Sequence, residues 1–452
     1  RSARTVKEKA KAVMAILLDK LTQNSLAQNL SGTSGNEETY YIEATRAEAL
    51  LLMGHKNQAG QSLQDAVLHD PLNFTAHATT LKQLRLILEV RGENADWLGP
   101  FSPPAAMQYA GHIFSTDTSA DNYLDADAQA HLADEISDQI QRHDIGFGYG
   151  ALAAGSDILI AETLLAGGGE LHVVLPVPVD QFIKTSITPF GKDWDQRFDA
   201  CLMRASSVTI CRSSGNHWPD KTSAVFASQS SMGRAVMRAN SLQSRAVQLL
   251  IWDEGVSRSV TAADAKTWVK TGNEQITIPY PRARTIPSPI PKKGEQDLLA
   301  VLHVRCKPEE DNIAQVIKDS AQANSLVFCE ADASGVSIGY RDAGQAADFA
   351  RLIGLTLAQE LPQSQYAIAG HYGPYSKLVN DAQKNGNGSI LNVVENISDN
   401  IVPGDVFISE DLAATLSAFH GDGLKLEYAG ARQVDPATTE TRLFILGRTH
   451  IH

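Results

Sequence analysis

An alternation constrains this chain more than any other feature. From "AMQYAGHIFS" (residues 106–115) to "AVQLLIWDEG" (246–255), short apolar runs alternate with longer stretches whose apolar residues recur every three or four positions. The runs between are "IGFGYGALAAG", "ELHVVLPV" and "SSVTICRSS"; the longer stretches include "ADAQAHLADEISDQIQRH", "SDILIAETLLAGG", "DWDQRFDACLMRA" and "SSMGRAVMRANSLQSR". Parallel strands need a crossover of a dozen or more residues, and a helix is the usual crossover. Strands alternating with helices therefore predict a parallel sheet with helices on both faces, an α/β domain over residues 100–275.

Residues 1–97 read differently. Apolar residues keep helical spacing through "KAVMAILLDKL" and "EATRAEALLLMGHKNQAGQSLQDAVLHDP". In the second stretch Ala47, Leu50 and Leu51 precede Gly54, Ala59, Leu63 and Ala66 follow it, and Pro71 stops the run. Small residues at those offsets let two antiparallel helices approach closely. The pattern resembles one tetratricopeptide (TPR) unit, which implies a TPR-like all-α region that binds a protein partner; the alternative is a plain helical hairpin. "GENADWLGPFSPPAAMQ" is a linker by its glycine and proline. A second, proline-rich linker covers 276–296. Beyond it, residues 297–452 mix strands, hairpins and helices, as in an α+β domain.

Composition narrows the function classes. At 452 residues the chain is too long for one core. Its net charge of −13 argues against a partner that is a nucleic acid. No apolar run approaches a membrane span, and "RSARTVKEKAKAVMAILLDKL" lacks the form of a signal peptide, so a cytoplasmic protein is expected. Cys201, Cys211, Cys306 and Cys329 show no CxxC spacing and read as buried free thiols, with no metal site. "GNHWPD", around His217, lacks the converging ligands of a zinc site, and "QKNGNGS" (383–389) reads as a loop rather than a phosphate cradle.

In a doubly wound sheet, ligands sit beyond the carboxyl ends of the strands. Three loops should meet there. They carry Gly111 and His112; Gly148, Gly150, Gly155, Ser156 and Asp157; and "LPVPVDQFIKTSI". The glycines allow close backbone approach, and the amides at Ser156 and Asp157 open a helix that suits an anion. Asp157 and Glu162 either bind a ribose hydroxyl or complement the helix dipole. His112 is either a ligand contact or a core histidine. Lys184 and Lys192 could meet an anionic ligand or stay solvated. Neither G-x-G-x-x-G nor a Walker A loop occurs.

"GALAAGSDILIAETLLAGGGELHVVLP" resembles the Rossmann-like SLOG superfamily, which includes DprA-like proteins and cytokinin-activating phosphoribohydrolases. The segment is similar also to a bacterial family in which TPR repeats accompany such a domain, and to regulatory regions of animal stress kinases that bind TRAF proteins. The matching positions are Gly111 and His112; Ala153, Gly155, Asp157 and Glu162; and Pro176, Phe182, Thr185 and Ser186. The resemblance implies a nucleotide-derived ligand. The P-G-G-x-G-T-x-x-E loop of the phosphoribohydrolases is absent.

"YAIAGHYGPY", "ILNVVENISDNIVPGDVFISEDLAATL" and "LEYAGARQVDPATTETRLFIL" resemble, in order and spacing, the class III adenylate/guanylate cyclases, through His371, Gly373, Pro374, Asn392, Pro403, Gly404, Asp405 and Ser409. The resemblance implies a ferredoxin-like core and a homodimer. Cyclases need two aspartates to hold two Mg²⁺ ions. Here Arg305 and Ser334 stand at those positions, and Asn396 stands where an arginine should be, while Asn392 is kept. Asp332 lies nearby and could pair with Arg305. The reading is a pseudo-cyclase: a signalling sensor or scaffold that binds a nucleotide-derived ligand, with no catalytic residues. The alternatives are a nucleotide N-glycosidase using Asp157 or Glu162 as acid or base with His112 assisting, and a divergent cyclase using Asp332.

Overall fold

The computed structural model describes residues 5–6, 8–16, 20, 36–211, 221–253, 259–281, 297–306, 311–321, 325–360, 366–375, 389–421, 424–433 and 440–447. Most of the proline-rich linker, His217 and "QKNGNG" (383–388) lie outside them. The chain divides into two compact units, residues 1–105 with 238–245, and 106–237 with 246–452.

The first unit is built on helices α1 (Asn36–Met53), α2 (Lys56–His69) and α3 (Phe74–Arg91). Gly54 turns the chain between the first two with φ +92°, a left-handed conformation that suits glycine. The Asn73 side chain caps α3 by accepting from the Ala76 amide at 3.2 Å, and Gly92 ends it in the left-handed region. The core is Ala47, Leu50, Leu51, Ala59, Leu63, Leu81, Leu84, Leu88 and Leu98. The small residues Ala47 and Ala59 are fully buried, which is what lets α1 and α2 close on each other.

In the second unit the alternation becomes a six-stranded sheet of order β4-β3-β2-β1-β5-β6. Its strands are β1 (Ala105–Gly111), β2 (Ile145–Gly150), β3 (Glu170–Leu175), β4 (Ser207–Ile210), β5 (Ala246–Trp252) and β6 (Glu274–Pro279). The pairs β2–β3, β3–β4, β1–β5 and β5–β6 are parallel. Helices α4 (Ala126–Arg142), α5 (Ser156–Ala166), α6 (Val179–Ser186), α7 (Lys192–Arg204), α8 (Lys221–Ser241) and α9 (Val260–Trp268) lie between them in sequence. Strand β6 was not expected: "EQITIP" holds only two aliphatic residues, Ile276 and Ile278, and pairing with the buried β5 makes it a strand. The chain moves outward from β1 through β2, β3 and β4, then returns to β5 on the other side. The switch point therefore lies between β1 and β5.

A second, mixed sheet has the order β12-β13-β11-β10-β7-β9-β8. Its strands are β7 (Asp297–Cys306), β8 (Leu326–Ala331), β9 (Gly335–Tyr340), β10 (Tyr366–Tyr375), β11 (Val406–Ser409), β12 (Leu426–Arg432) and β13 (Thr441–Leu446). With α10 (Asp311–Ser320) and α11 (Ala343–Glu360), the first four strands form a β-α-β-β-α-β unit whose sheet order β10-β7-β9-β8 is ferredoxin-like. Helix α12 (Ile390–Asp399) crosses over to β11, which is parallel to β10, and α13 (Glu410–Phe419) leads to the closing hairpin. The period of two in β7 is visible in packing. Ala300, Leu302 and Val304 join the core under α11 and α13, while Leu299 and Val301 join the one under α12.

The larger of these cores also contains Phe226 and Ala227 from α8 and Val174 from β3. Helix α8 thus serves both sheets. Its Gly233 lies so close to α13 that a Cβ there would sit 2.3 Å from the Ala414 carbonyl oxygen.

Candidate functional site

The loops after β1, β2 and β3 meet at the end of the first sheet, held by backbone bonds. The Phe114 amide donates to Ala154 O at 3.1 Å, the Ala154 amide to Ser186 O at 3.0 Å, and the Thr116 amide to Phe190 O at 2.9 Å. Gly155 makes the closure possible. Its φ is +99°, and a Cβ on it would lie 2.4 Å from the Phe114 nitrogen.

Gly111, His112, Gly155, Ser156 and Asp157 come together here. A Cβ on Gly111 would overlap the Ser156 side chain at 2.3 Å. His112 is buried, and its Nε2 accepts from the Asp253 amide at 2.8 Å, which places the ring lone pair on that nitrogen. The His112 carbonyl accepts from the Ser156 amide at 3.1 Å, so the first amide of α5 is taken by the chain itself. Asp157 turns back to accept from the Ala153 amide at 3.2 Å. Burial pushes its carboxyl up to about 7; the Asp264 charge adds to the rise, and the Ala153 and Gly111 amides oppose it. Asp264, on α9, is likewise raised by burial to about 7 and accepts from the Ser228 hydroxyl at 2.6 Å.

The other positions named from the sequence lie elsewhere or act differently. Gly148 and Gly150 are in strand β2, where added Cβ atoms would strike Leu164 at 2.4 Å and the Tyr109 ring at 2.6 Å. They make room for neighbouring side chains within the sheet packing. Glu162 forms an ion pair with Arg197, with Nε donating at 2.8 Å, and Arg197 also donates to Gln129 at 2.7 Å. That pair ties α5, α7 and α4 together. The Thr185 hydroxyl donates to Gln181 O at 3.0 Å, and Ser186 contributes the carbonyl already named. Lys184 is exposed and pairs with Asp180 at 3.7 Å. Sequence reasoning missed Asp264, Ser228 and Thr261, whose hydroxyl donates to Gly111 O at 3.3 Å. The available signal was an aspartate inside the small apolar run "VTAADA".

In the second sheet Arg305 ends β7 opposite Gly335 and Ala367. Its Nε lies 3.6 Å from Asp399 Oδ1. Asp332 turns the β8–β9 hairpin, accepting from the Ser334 amide at 2.7 Å, the Ser334 hydroxyl at 2.5 Å and the Gly335 amide at 3.3 Å. Burial raises the Asp332 carboxyl, but these bonds and His303 together hold it below the usual range. His303, two residues before Arg305, is lowered by burial, and its Nδ1 meets the Ser337 hydroxyl at 2.9 Å. Asn392 lies in the first turn of α12, where its amide donates to the Ser389 cap at 3.1 Å. Asn396 accepts from the Asn400 side chain through its carbonyl at 2.8 Å. His371 on β10 bonds Ser409, the cap of α13, at 2.8 Å.

Among the described residues, no group of three or more His, Cys, Asp or Glu is placed to hold a metal. Cys201 and Cys211 are buried free thiols, both pushed up to about 12 by burial; Cys329 is only partly buried. No described helix is long and apolar enough to cross a membrane.

The structure is thus a multidomain α/β chain with one parallel sheet and one mixed sheet, the latter built on a ferredoxin-like core. No family model matches it, and no curated protein does. Among solved structures it is similar to the adenylyl cyclase CyaB from P. aeruginosa, with 10% identity over 34% of this chain and 96% of that one, at a TM-score of 0.27. An adenylate cyclase from Trypanosoma brucei in its monomeric state matches at 10% identity over 35% of this chain and 92% of that one, at a TM-score of 0.28. An adenylate/guanylate cyclase/hydrolase from Silicibacter pomeroyi matches at 18% identity over 34% of this chain and 98% of that one, at a TM-score of 0.26. Each likeness covers about a third of this chain, at a score that carries nothing further.

Proposed function

We propose that the chain is a non-catalytic signalling sensor and scaffold of the cytoplasm. In this reading the first sheet, SLOG-type, holds a nucleotide-derived ligand at its switch point. The second sheet is a pseudo-cyclase that supports a homodimer, and the TPR-like helices engage a protein partner. The observation that carries the reading is Arg305. A two-metal site needs carboxylates that converge on the ions. Here a guanidinium stands beside Asp399 at 3.6 Å, and Asp332 is spent on its own hairpin. A cation at that position repels Mg²⁺.

The test pairs turnover with binding. Purified protein is incubated with ATP or GTP and Mg²⁺ or Mn²⁺, and with NAD and ADP-ribose, and the mixtures are separated by chromatography. The same compounds, with cyclic nucleotides, are screened by thermal shift. A ligand at 100 times its Kd stabilises by about 2.7 kcal/mol. Stabilisation without product supports the sensor; a cyclic product or a released base refutes it.

One observation favours an enzyme in the first sheet instead. Asp157, raised to about 7, has the affinity for protons that suits a general acid or base near neutral pH. Asp157→Asn would then abolish release of a base from NAD or a nucleotide, whereas in a sensor there is no release to abolish.

A further inference from the structure

We propose that the crevice at the β1/β5 switch point takes a cationic, N–H-donating group, an amidinium or ammonium, against the Asp157 and Asp264 carboxylates. The inference rests on the reading that this crevice is the ligand site, and it names the chemistry that site selects.

Two buried acids lie about Gly111 from different elements: Asp157, at the start of α5, accepts from its amide, and Asp264 is one turn after Thr261 of α9, whose hydroxyl donates to Gly111 O at 3.3 Å; they are 8% and 7% exposed. Each is short of donors. Among the described residues Asp264 accepts one bond, from Ser228 at 2.6 Å, and Asp157 accepts from the backbone at Ala153 and Gly111. An ionised carboxylate has about four acceptor positions, so capacity remains on both. Neither is paired with Arg or Lys among the described residues. The titratable groups near them are the buried Tyr109 phenol on β1, His112 and Asp253, and none of these is a fixed cation.

Ser156 adds an independent observation. It is fully buried, its hydroxyl finds no hydrogen-bond partner among the described residues, and its Oγ packs against Gly111, where an added Cβ would lie 2.6 Å away. A buried hydroxyl without a partner is costly, and so are two buried carboxylates without a cation. An amidinium relieves both, because it brings positive charge and several donors in one plane. A phosphate would add negative charge beside two carboxylates and bring no donor. Any phosphate of a larger ligand is therefore held away from Asp157 and Asp264.

The experiment uses the full chain and an isosteric pair, acetamidine and acetamide, which differ in charge. Both are titrated at pH 8 and fixed ionic strength, by calorimetry and thermal shift, against the wild type, Asp157→Asn and Asp264→Asn. Acetamidine should bind the wild type at least tenfold more tightly than acetamide. Each variant should lose that preference while melting cooperatively without ligand. Equal binding of the two probes, or no binding of acetamidine to the wild type, overturns the proposal; the comparison within the wild type stands even if a variant fails to fold. If ADP-ribose or NAD stabilises the protein while acetamidine does not bind, the ligand site stands and its charge preference falls. If the nucleotides are inert while acetamidine binds in an Asp264-dependent way, the charge preference stands and the nucleotide reading falls.

Discussion

Arg234 of helix α8 donates to Asp411 at 3.0 Å and pairs with Glu410, both at the start of α13. All three side chains are mostly buried, and Ser230 also donates to Asp411 at 3.3 Å. One helix of the first sheet is thereby locked by charge to the second sheet. Removing one partner of a buried pair leaves the other uncompensated, at a cost of about 3–5 kcal/mol; here Glu410 keeps Arg442 at 3.0 Å, and Asp411 is the carboxylate left without its cation. Arg234→Ala should lower unfolding stability by that order in denaturant melts. Arg234→Met, which keeps the volume, should recover little of the loss. A change under about 1 kcal/mol would mean that solvent reaches these carboxylates.

Gly233 faces the same helix at backbone distance. A methyl group would have to displace the Ala414 carbonyl, 2.3 Å from the added Cβ, and backbone does not yield as a side chain does. Elsewhere in a helix Gly→Ala stabilises by up to about 1 kcal/mol. Here Gly233→Ala should destabilise by about 1–3 kcal/mol, an overpacking cost. Gly60 in α2 has ordinary helical φ, an added Cβ there would lie 3.6 Å from the Trp97 ring, and it serves as the spatial control.

Asp157 and Asp264 give stability a pH dependence. Their folded values, about 7, lie above the usual carboxylate value of about 4. A folded value raised in this way gives stability that is complete below about pH 4 and lost as pH rises through about 7. The slope is at most about 1.4 kcal/mol per pH unit for each group in that window. Melting temperature should therefore fall from pH 5 to pH 8, and Asp264→Asn should flatten the curve. A wild-type profile that rises across this range, and is unchanged in the variant, contradicts the assignment.

Gly155 makes the turn that closes the loops on each other. Gly155→Ala would place a Cβ against the Phe114 nitrogen in a backbone conformation that L-residues avoid. It should cost about 1–3 kcal/mol and speed amide exchange at Phe114, whose bond to Ala154 O closes the loop. Unchanged exchange there would show that the loop closes without this turn.

Leu63→Ala tests the helical unit. Leu63 is 1% exposed at the centre of that core, so truncation should cost about 2–5 kcal/mol in a denaturant melt. A loss below about 1 kcal/mol would mean that the core collapses around the gap.

Much of the fold was legible because its signals are local. The strand-helix alternation dictated a parallel sheet, and Pro71 and Gly54 punctuated the first helices. The expectation at Arg305, Ser334 and Asn396 came from the resemblance of short motifs to cyclases. Backbone periodicity and turn chemistry are written in neighbouring residues, so a linear reading reaches them.

Other features were settled only by the tertiary structure. Gly148 and Gly150 stood in a loop-like string, yet pairing put them in β2 against Leu164 and Tyr109. Glu162 was a free acid in the sequence and is Arg197's partner in the fold. Asp264 carried no motif, and it reaches the Asp157 region only because β5 returns beside β1. Strand β6 exists because β5 offers it an edge. Neighbouring residues set most of the elements and their classes, β6 excepted. Which side chains share a low-dielectric space depended on the order of the strands, since that order brings together residues more than a hundred positions apart.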